Sequence, residues 1–380
     1  MDFNFDENQT MLRDSIDRFL TDKHDLVARR RLMDDPAAAT ALWREMADLG
    51  WIGAAFPEEV GGFSSSPIDA MIVMEAFGRH LVTAPYLMTA IVCGRLLIDG
   101  LAGERREALI AEVIAGDRLL SLAAGSSHVL RSPEHHSFVA TPTAFGFSLS
   151  GRMPVVIGGD TATAFLVAAR ISGQNGDPEG LSLFLVEAET PGVSRRSFRM
   201  IDAHGAAELV LYSVSVSPEA LVGTLDHALP LIDKALDYGI AGACGEALGS
   251  MTHLVSATSD YTRTREQYGA ALAKFQVLQH RMADMYIQTE TARSMAYVAS
   301  LSLELDTAER RRRLSAAKAQ VGRSGRFVGY QAVQLHGGMG VSEELDIGHH
   351  HIRLTVLNQL FGDQAFHLRR FAELGAASPA

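Results

Sequence analysis

The sequence predicts an α+β chain of three successive domains: helical over residues 1–118, strand-rich over 119–225 and helical again over 226–375. Three observations predict it. The 380 residues, 47% of them hydrophobic, exceed what one core usually serves, so two or three packed units are expected. Apolar residues recur at helical spacing towards both ends of the chain. Between those ends lie short runs rich in β-branched and aromatic residues, separated by Gly, Pro, Asn and Asp.

In chain order, Met11, Ile16, Phe19 and Leu20 mark one amphipathic helix, and Leu42, Met46, Leu49 and Trp51 another. Gly50, the PEEVGG segment from Pro57 to Gly62, and Pro85 punctuate this part as loops or helix ends. From Leu119 to Leu225 the runs FSLSG, TATAFLVAA, LSLFLVEA and AELVLYSVSV read as strands. After His227 helical spacing returns, and Ala241, Gly242, Ala243 and Gly245 let long helices approach closely.

Charge and cysteine usage narrow the function. A net charge of -11 and a pI near 5.7 argue against a nucleic-acid partner, which favours a basic face. Cys93 and Cys244 are far apart in apolar surroundings, so a disulfide framework is not expected and a reducing cytoplasm is the natural setting. The polar start MDFNFDENQ lacks the basic and apolar regions of a signal peptide, and no apolar run reaches the roughly 20 residues a bilayer crossing needs. A cytoplasmic enzyme with no membrane and no nucleic-acid contact is expected.

Two segments carry chemistry. YTRTREQYGAALAKFQVLQHRMADM, from Tyr261 to Met285, joins an Arg on a helix, an aromatic–Gly turn, a Phe–Gln pair and a second amphipathic helix. QLHGGMG, from Gln334 to Gly340, places paired glycines directly after a helical run, where the backbone can approach a ligand closely. Taken singly, Arg265 could pair with a surface acid, Tyr268 could be core, and a GGxG could be a helix C-cap. His336 and the run His349, His350 and His351 suggest a metal, but no carboxylate or Cys cluster completes a ligand set in the sequence, and no metal is expected.

The order of domains and the Tyr261–Met285 string together resemble the acyl-CoA dehydrogenase family over essentially the whole chain. MDFNFDENQ, APYL and SGRFVGYQAVQLHGGMG make it most similar to the bacterial small-subunit type of pimeloyl-CoA dehydrogenase. That resemblance implies FAD as cofactor, an acyl-CoA substrate, electron-transfer flavoprotein as acceptor and a C-terminal four-helix bundle. It also implies a homotetramer, or a heteromer with a second chain of the family. It sets Arg265 against the FAD pyrophosphate, where a guanidinium offers a planar fork to phosphate. Tyr268 and Gln276 line the same cofactor, and Gln334, Gly337 and Gly338 hold its ADP half. Asp237 matches an acidic residue that contacts the pantetheine arm, although Ile240 stands where an Arg usually follows.

The base departs from the family. Relatives remove the α proton with the Glu of a Tyr-Glu-Gly-Thr loop, and spacing from Arg353 puts Gly362 at that place, within LNQLFGDQAF. An alternative family position reads Gly239. Asp363 is the first candidate for the base, against a role as helix N-cap for AFHLRRFAEL, and Glu246 is the second. The segments AAGSSHVLR, from Ala123 to Arg131, and VVIGGD, from Val155 to Asp160, replace the loops that touch the flavin ring in relatives. Three readings stay open: an acyl-CoA dehydrogenase subunit forming an α,β double bond, a non-catalytic partner in a heteromeric dehydrogenase, and a flavin oxidase on the same fold.

Overall fold

The computed structural model describes residues 5–125, 132 and 134–376. Six α-helices come first among them: α1 (Glu7–Lys23), α2 (Leu26–Asp34), α3 (Pro36–Asp48), α4 (Pro67–His80), α5 (Gly94–Gly100) and α6 (Gly103–Ile114). Strands follow: β1 (Leu120–Ala123), β2 (Phe138–Thr143), β3 (Gly146–Ile157), β4 (Ala164–Arg170), β5 (Leu181–Glu187), β6 (Val193–Arg199), β7 (Gly205–Val216) and β8 (Leu221–Val222). The chain then returns to helix in α7 (Leu229–Thr264), α8 (Gln276–Leu301), α9 (Thr307–His336), α10 (Asp346–Gln359) and α11 (Gln364–Ala376).

Local signals explain the boundaries. Asp6 accepts from the Gln9 N–H at 2.8 Å while the Gln9 amide oxygen accepts from the Asp6 N–H, a reciprocal cap that starts α1. Helix α3 stops at Gly50, whose φ of +80° suits glycine. There the Gly50 N–H donates to Ala47 at 2.8 Å and the Trp51 N–H to Met46 at 3.0 Å, the paired bonds of a glycine-terminated helix. A π-helical stretch, Leu87–Cys93, runs from just after Pro85 into α5.

By contacts the chain forms two compact units, one of Met1–Asp35, Pro67–Val82 and Ile240–Ala380, the other of Pro36–Ser66 and Thr83–Gly239. The second unit holds the sheet, in the order β6-β7-β3-β2-β4-β5-β8, with β1 paired to β4. The β1–β4 and β2–β4 pairings are parallel and the rest antiparallel. Phe138, Leu149, Met153, Phe165, Val167, Phe184, Leu209 and Val214 fill its core. Arg170, at the end of β4, is buried and donates to the carbonyls of Glu134, Ser172, Asp177 and Glu179, which ties down the neighbouring turns. Of the segment Ala123–Arg131, residues 126–131 lie outside the described residues. VVIGGD ends β3 and turns at Gly158 with φ +73°.

In the first unit α7 lies on α4 where both lack side chains. A Cβ on Gly78 would sit 1.9 Å from the Glu246 carbonyl oxygen, and one on Gly249 would sit 1.8 Å from that of Glu75. Ser250 Oγ donates to the Gly78 carbonyl at 2.9 Å across the same crossing. Helix α9 packs against α8, α10 and α11. The C-terminal domain is thus built from α7, α8, α9 and α10, with α11 added against α9.

Candidate functional site

The cofactor candidates gather at the ends of helices in the first unit. Tyr261, on the last turn but one of α7, stacks on His336 at the end of α9, with ring centroids 4.3 Å apart. Its hydroxyl donates to the His336 carbonyl at 3.5 Å. Arg265 follows Tyr261 by one helical turn, and Gly337 follows His336 directly, so this stack brings the Arg and the glycine pair to one end of the bundle. Neither Tyr261 nor His336 was singled out from sequence for this positioning role. The only hint was that one opens the first motif and the other sits inside the second.

Arg265 is exposed, and its guanidinium has no partner among the described residues. A hairpin of Glu266–Gln267 and Ala270–Ala271 follows it, turning through Tyr268 and Gly269 at φ +55° and +79°. Two positive φ values in succession are those of a tight mirror-type turn, and they push Tyr268 outwards until it is 93% exposed. Its ring meets Phe275 edge-on at 6.3 Å. Gln276 opens α8 and is exposed, as is Gln334 on the last turn of α9. Gly337 has φ +61° and donates its N–H to Gln334, and a Cβ on either Gly337 or Gly338 would meet nothing within 4 Å.

This donor set fits a phosphate-bearing dinucleotide. It offers a free cationic fork, two amide side chains, an aromatic face and backbone with open space before it. All six residues are exposed.

The proton-abstraction candidates are placed differently. In the loop between α10 and α11, Phe361 and Gly362 have φ +62° and +103°. A Cβ on Gly362 would lie 2.3 Å from the Phe366 ring, so no glutamate fits there without rearrangement. Lys318, 2% exposed, donates from Nζ to the carbonyls of Asn358 at 3.1 Å and Gly362 at 3.0 Å. Burial brings its ammonium down to about 8. His367 adds a ring-nitrogen contact with the Phe361 carbonyl at 3.0 Å. Asp363 accepts the Phe366 N–H on Oδ1 at 2.8 Å, capping α11.

Glu246 is 3% exposed and holds Arg353 in a two-pronged ion pair, Nε–Oε1 2.5 Å and Nη2–Oε2 2.7 Å. Asp237, in the other unit, is 1% exposed beside Tyr238, whose ring lies 4.7 Å under the Arg95 guanidinium. Ile240 is buried in the first unit. None of the helices among the described residues is long and apolar enough to cross a membrane.

Known proteins match this arrangement. Residues 6–117 match the model of the acyl-CoA dehydrogenase N-terminal domain and residues 229–374 that of the C-terminal domain. The acyl-CoA dehydrogenase FadE27 of Mycobacterium tuberculosis is 26% identical over 346 residues, 89% of each chain. A variant of the Tcur3481–Tcur3483 steroid ACAD superimposes with a TM-score of 0.85 at 27% identity, over 98% of this chain and 99% of that one. The ChsE4–ChsE5 complex from Mycobacterium tuberculosis gives 0.86 at 24% identity, over the whole of both chains. The fold and the matched family models together define a flavoprotein oxidoreductase. The chain belongs to the acyl-CoA dehydrogenase family, and its cofactor is FAD.

Proposed function

We propose that this chain is a subunit of a heteromeric acyl-CoA dehydrogenase that holds FAD and takes its proton-abstracting carboxylate from a second, homologous chain. One observation carries this reading: the loop position of the family's base is Gly362, at φ +103°, with the Phe366 ring where a side chain would start. The other carboxylates near the chemistry have structural work, Glu246 with Arg353 and Asp363 at the start of α11. The two-component name of the Tcur3481–Tcur3483 steroid ACAD, at 27% identity, supports an assembly of the same kind.

On this reading Arg265 neutralises the pyrophosphate, and Gln334 with the Gly337–Gly338 backbone holds the ADP half. Tyr268 and Gln276 close the cradle. FAD, when bound, accepts hydride from the β carbon of an acyl-CoA thioester, and the electrons pass on to electron-transfer flavoprotein. Asp237 contacts the pantetheine arm. Lys318 and His367 keep the Phe361–Gly362 turn in a single conformation.

A second reading makes Asp363 the base of a chain that works alone, because it lies one residue beyond Gly362 on that turn. The FAD-loaded chain, purified without partners, separates the two under a panel of acyl-CoAs without oxygen. Flavin that stays oxidised until the second chain is co-expressed supports the heteromer. Bleaching by the lone chain, abolished in Asp363→Asn, overturns it in favour of Asp363.

A further inference from the structure

The run His349–His351 offered imidazoles with no completing ligand in the sequence, and the fold supplies one. Asp346 lies one turn before His350 on α10, and His253 reaches both from α7. One ligating atom from each of His253, Asp346 and His350 lies within 4.8 Å of the other two. His253 Nε2 stands 2.7 Å from Asp346 Oδ2, and the two imidazoles stack 4.4 Å apart at 22°. His350 is 1% exposed, and its Nδ1 is buried with no hydrogen-bond partner among the described residues. An unsatisfied buried polar atom costs about 1–3 kcal/mol, so in this fold it calls for an occupant.

We propose that His253, Asp346 and His350 form a binding site for a borderline divalent cation of the Zn²⁺ type, which ties α7 to α10. Two imidazoles and a carboxylate are zinc donors, whereas magnesium and calcium take oxygen. Ligands four apart on a helix share one face, as in known helical zinc sites. Zinc bonds of about 2.0–2.1 Å place tetrahedral donors about 3.3 Å apart. The His253–Asp346 pair, at 2.7 Å, would have to open slightly and the stacked His350 ring to turn towards it. His253 and Asp346 are partly exposed, so water completes the fourth position.

The FAD-bound full chain, stripped with EDTA and dialysed, is titrated with ZnCl₂ and separately with CoCl₂, beside His253→Gln and Asp346→Asn. Both variants change partly exposed positions and spare the buried His350. The expected result is one Zn²⁺ per chain, a raised melting temperature, and Co²⁺ visible absorption of tetrahedral intensity. Each variant weakens binding at least about tenfold, as losing even a supporting contact does in metal sites. No stoichiometric Zn²⁺ uptake by the wild-type chain overturns the site, as does uptake that either variant retains at wild-type affinity.

Discussion

Replacing Arg353 by Met tests whether Glu246 is structural. Both carboxylate oxygens of Glu246 meet Arg353, at 2.5 and 2.7 Å, and the two side chains are only 4% and 6% exposed. With charge centres about 4 Å apart and an effective dielectric near 20, their attraction is about 4 kcal/mol. Removing one member of a buried pair costs about 3–5 kcal/mol, because the other charge is left stranded. Methionine fills much of the vacated volume, so the loss is electrostatic. Urea unfolding of the FAD-bound chain at neutral pH, followed by circular dichroism, should show that loss. At about 2.1 cal/mol/K of unfolding entropy per residue, 380 residues shift by about 1.3 °C per kcal/mol, so the melting temperature falls by about 4–6 °C. Glu246→Leu combined with Arg353→Met should recover most of it, since an apolar pair of similar volume is often neutral or better. Arg353→Met within about 1 kcal/mol of wild type refutes the reasoning, as does a double variant whose loss equals the sum of the single losses.

Gly249→Ala places a methyl 1.8 Å from the Glu75 carbonyl oxygen and 2.7 Å from the Arg79 nitrogen, so α4 and α7 must separate. A loss of about 1–3 kcal/mol in the urea midpoint is expected, and an unchanged midpoint counts against the close crossing. Burial lowers His24 to about 4 and His367 to about 3, below the ordinary value of about 6.5. The unfolded chain therefore binds more protons across that window. Stability is complete above about pH 6.5 and is lost as pH falls towards 4, by about 1.4 kcal/mol per unit for each histidine. Melting temperatures across pH 7 to 4 should fall accordingly, with a shallower slope in His24→Gln, and an identical slope in that variant refutes the assignment. Arg265→Ala should lower FAD retention by about 1.5–3 kcal/mol, at least tenfold, in a chain that stays folded. Unchanged flavin absorbance after gel filtration at low concentration speaks against the phosphate role.

Legibility in the sequence followed how local each signal is. Strands β4 and β5 were readable because their runs are apolar and almost wholly buried, and β7 because its first half is. Strand β6 was not, because VSRRSFR is an edge strand paired only with β7 and largely exposed, so its composition reads as loop. Strand β2 carries Pro142 near its hairpin end, which weakens the strand pattern. The small residues of α7 announced a close approach, but not that α4, far earlier in the chain, would be the partner.

At the proposed cofactor end the local conformations were legible for the same reason: the Tyr268–Gly269 turn and the glycine pair are short-range devices whose conformations follow from residue type. The Tyr261–His336 stack, and the approach of His253 to the Asp346–His350 pair, join helices distant in sequence, so no spacing rule reveals either contact. The Gly362 turn lies between these cases. Its sequence reads as a missing base, and its geometry supplies the reason, a backbone at φ +103° held from below by Lys318 and His367. Asp363 cannot swing far from that turn without releasing the Phe366 N–H, a cap worth about 1 kcal/mol. Asparagine caps a helix as well as aspartate does but cannot accept the α proton. Asp363→Asn therefore keeps α11 and the turn while removing the chemistry, and alanine, which loses both, would leave the two roles confounded.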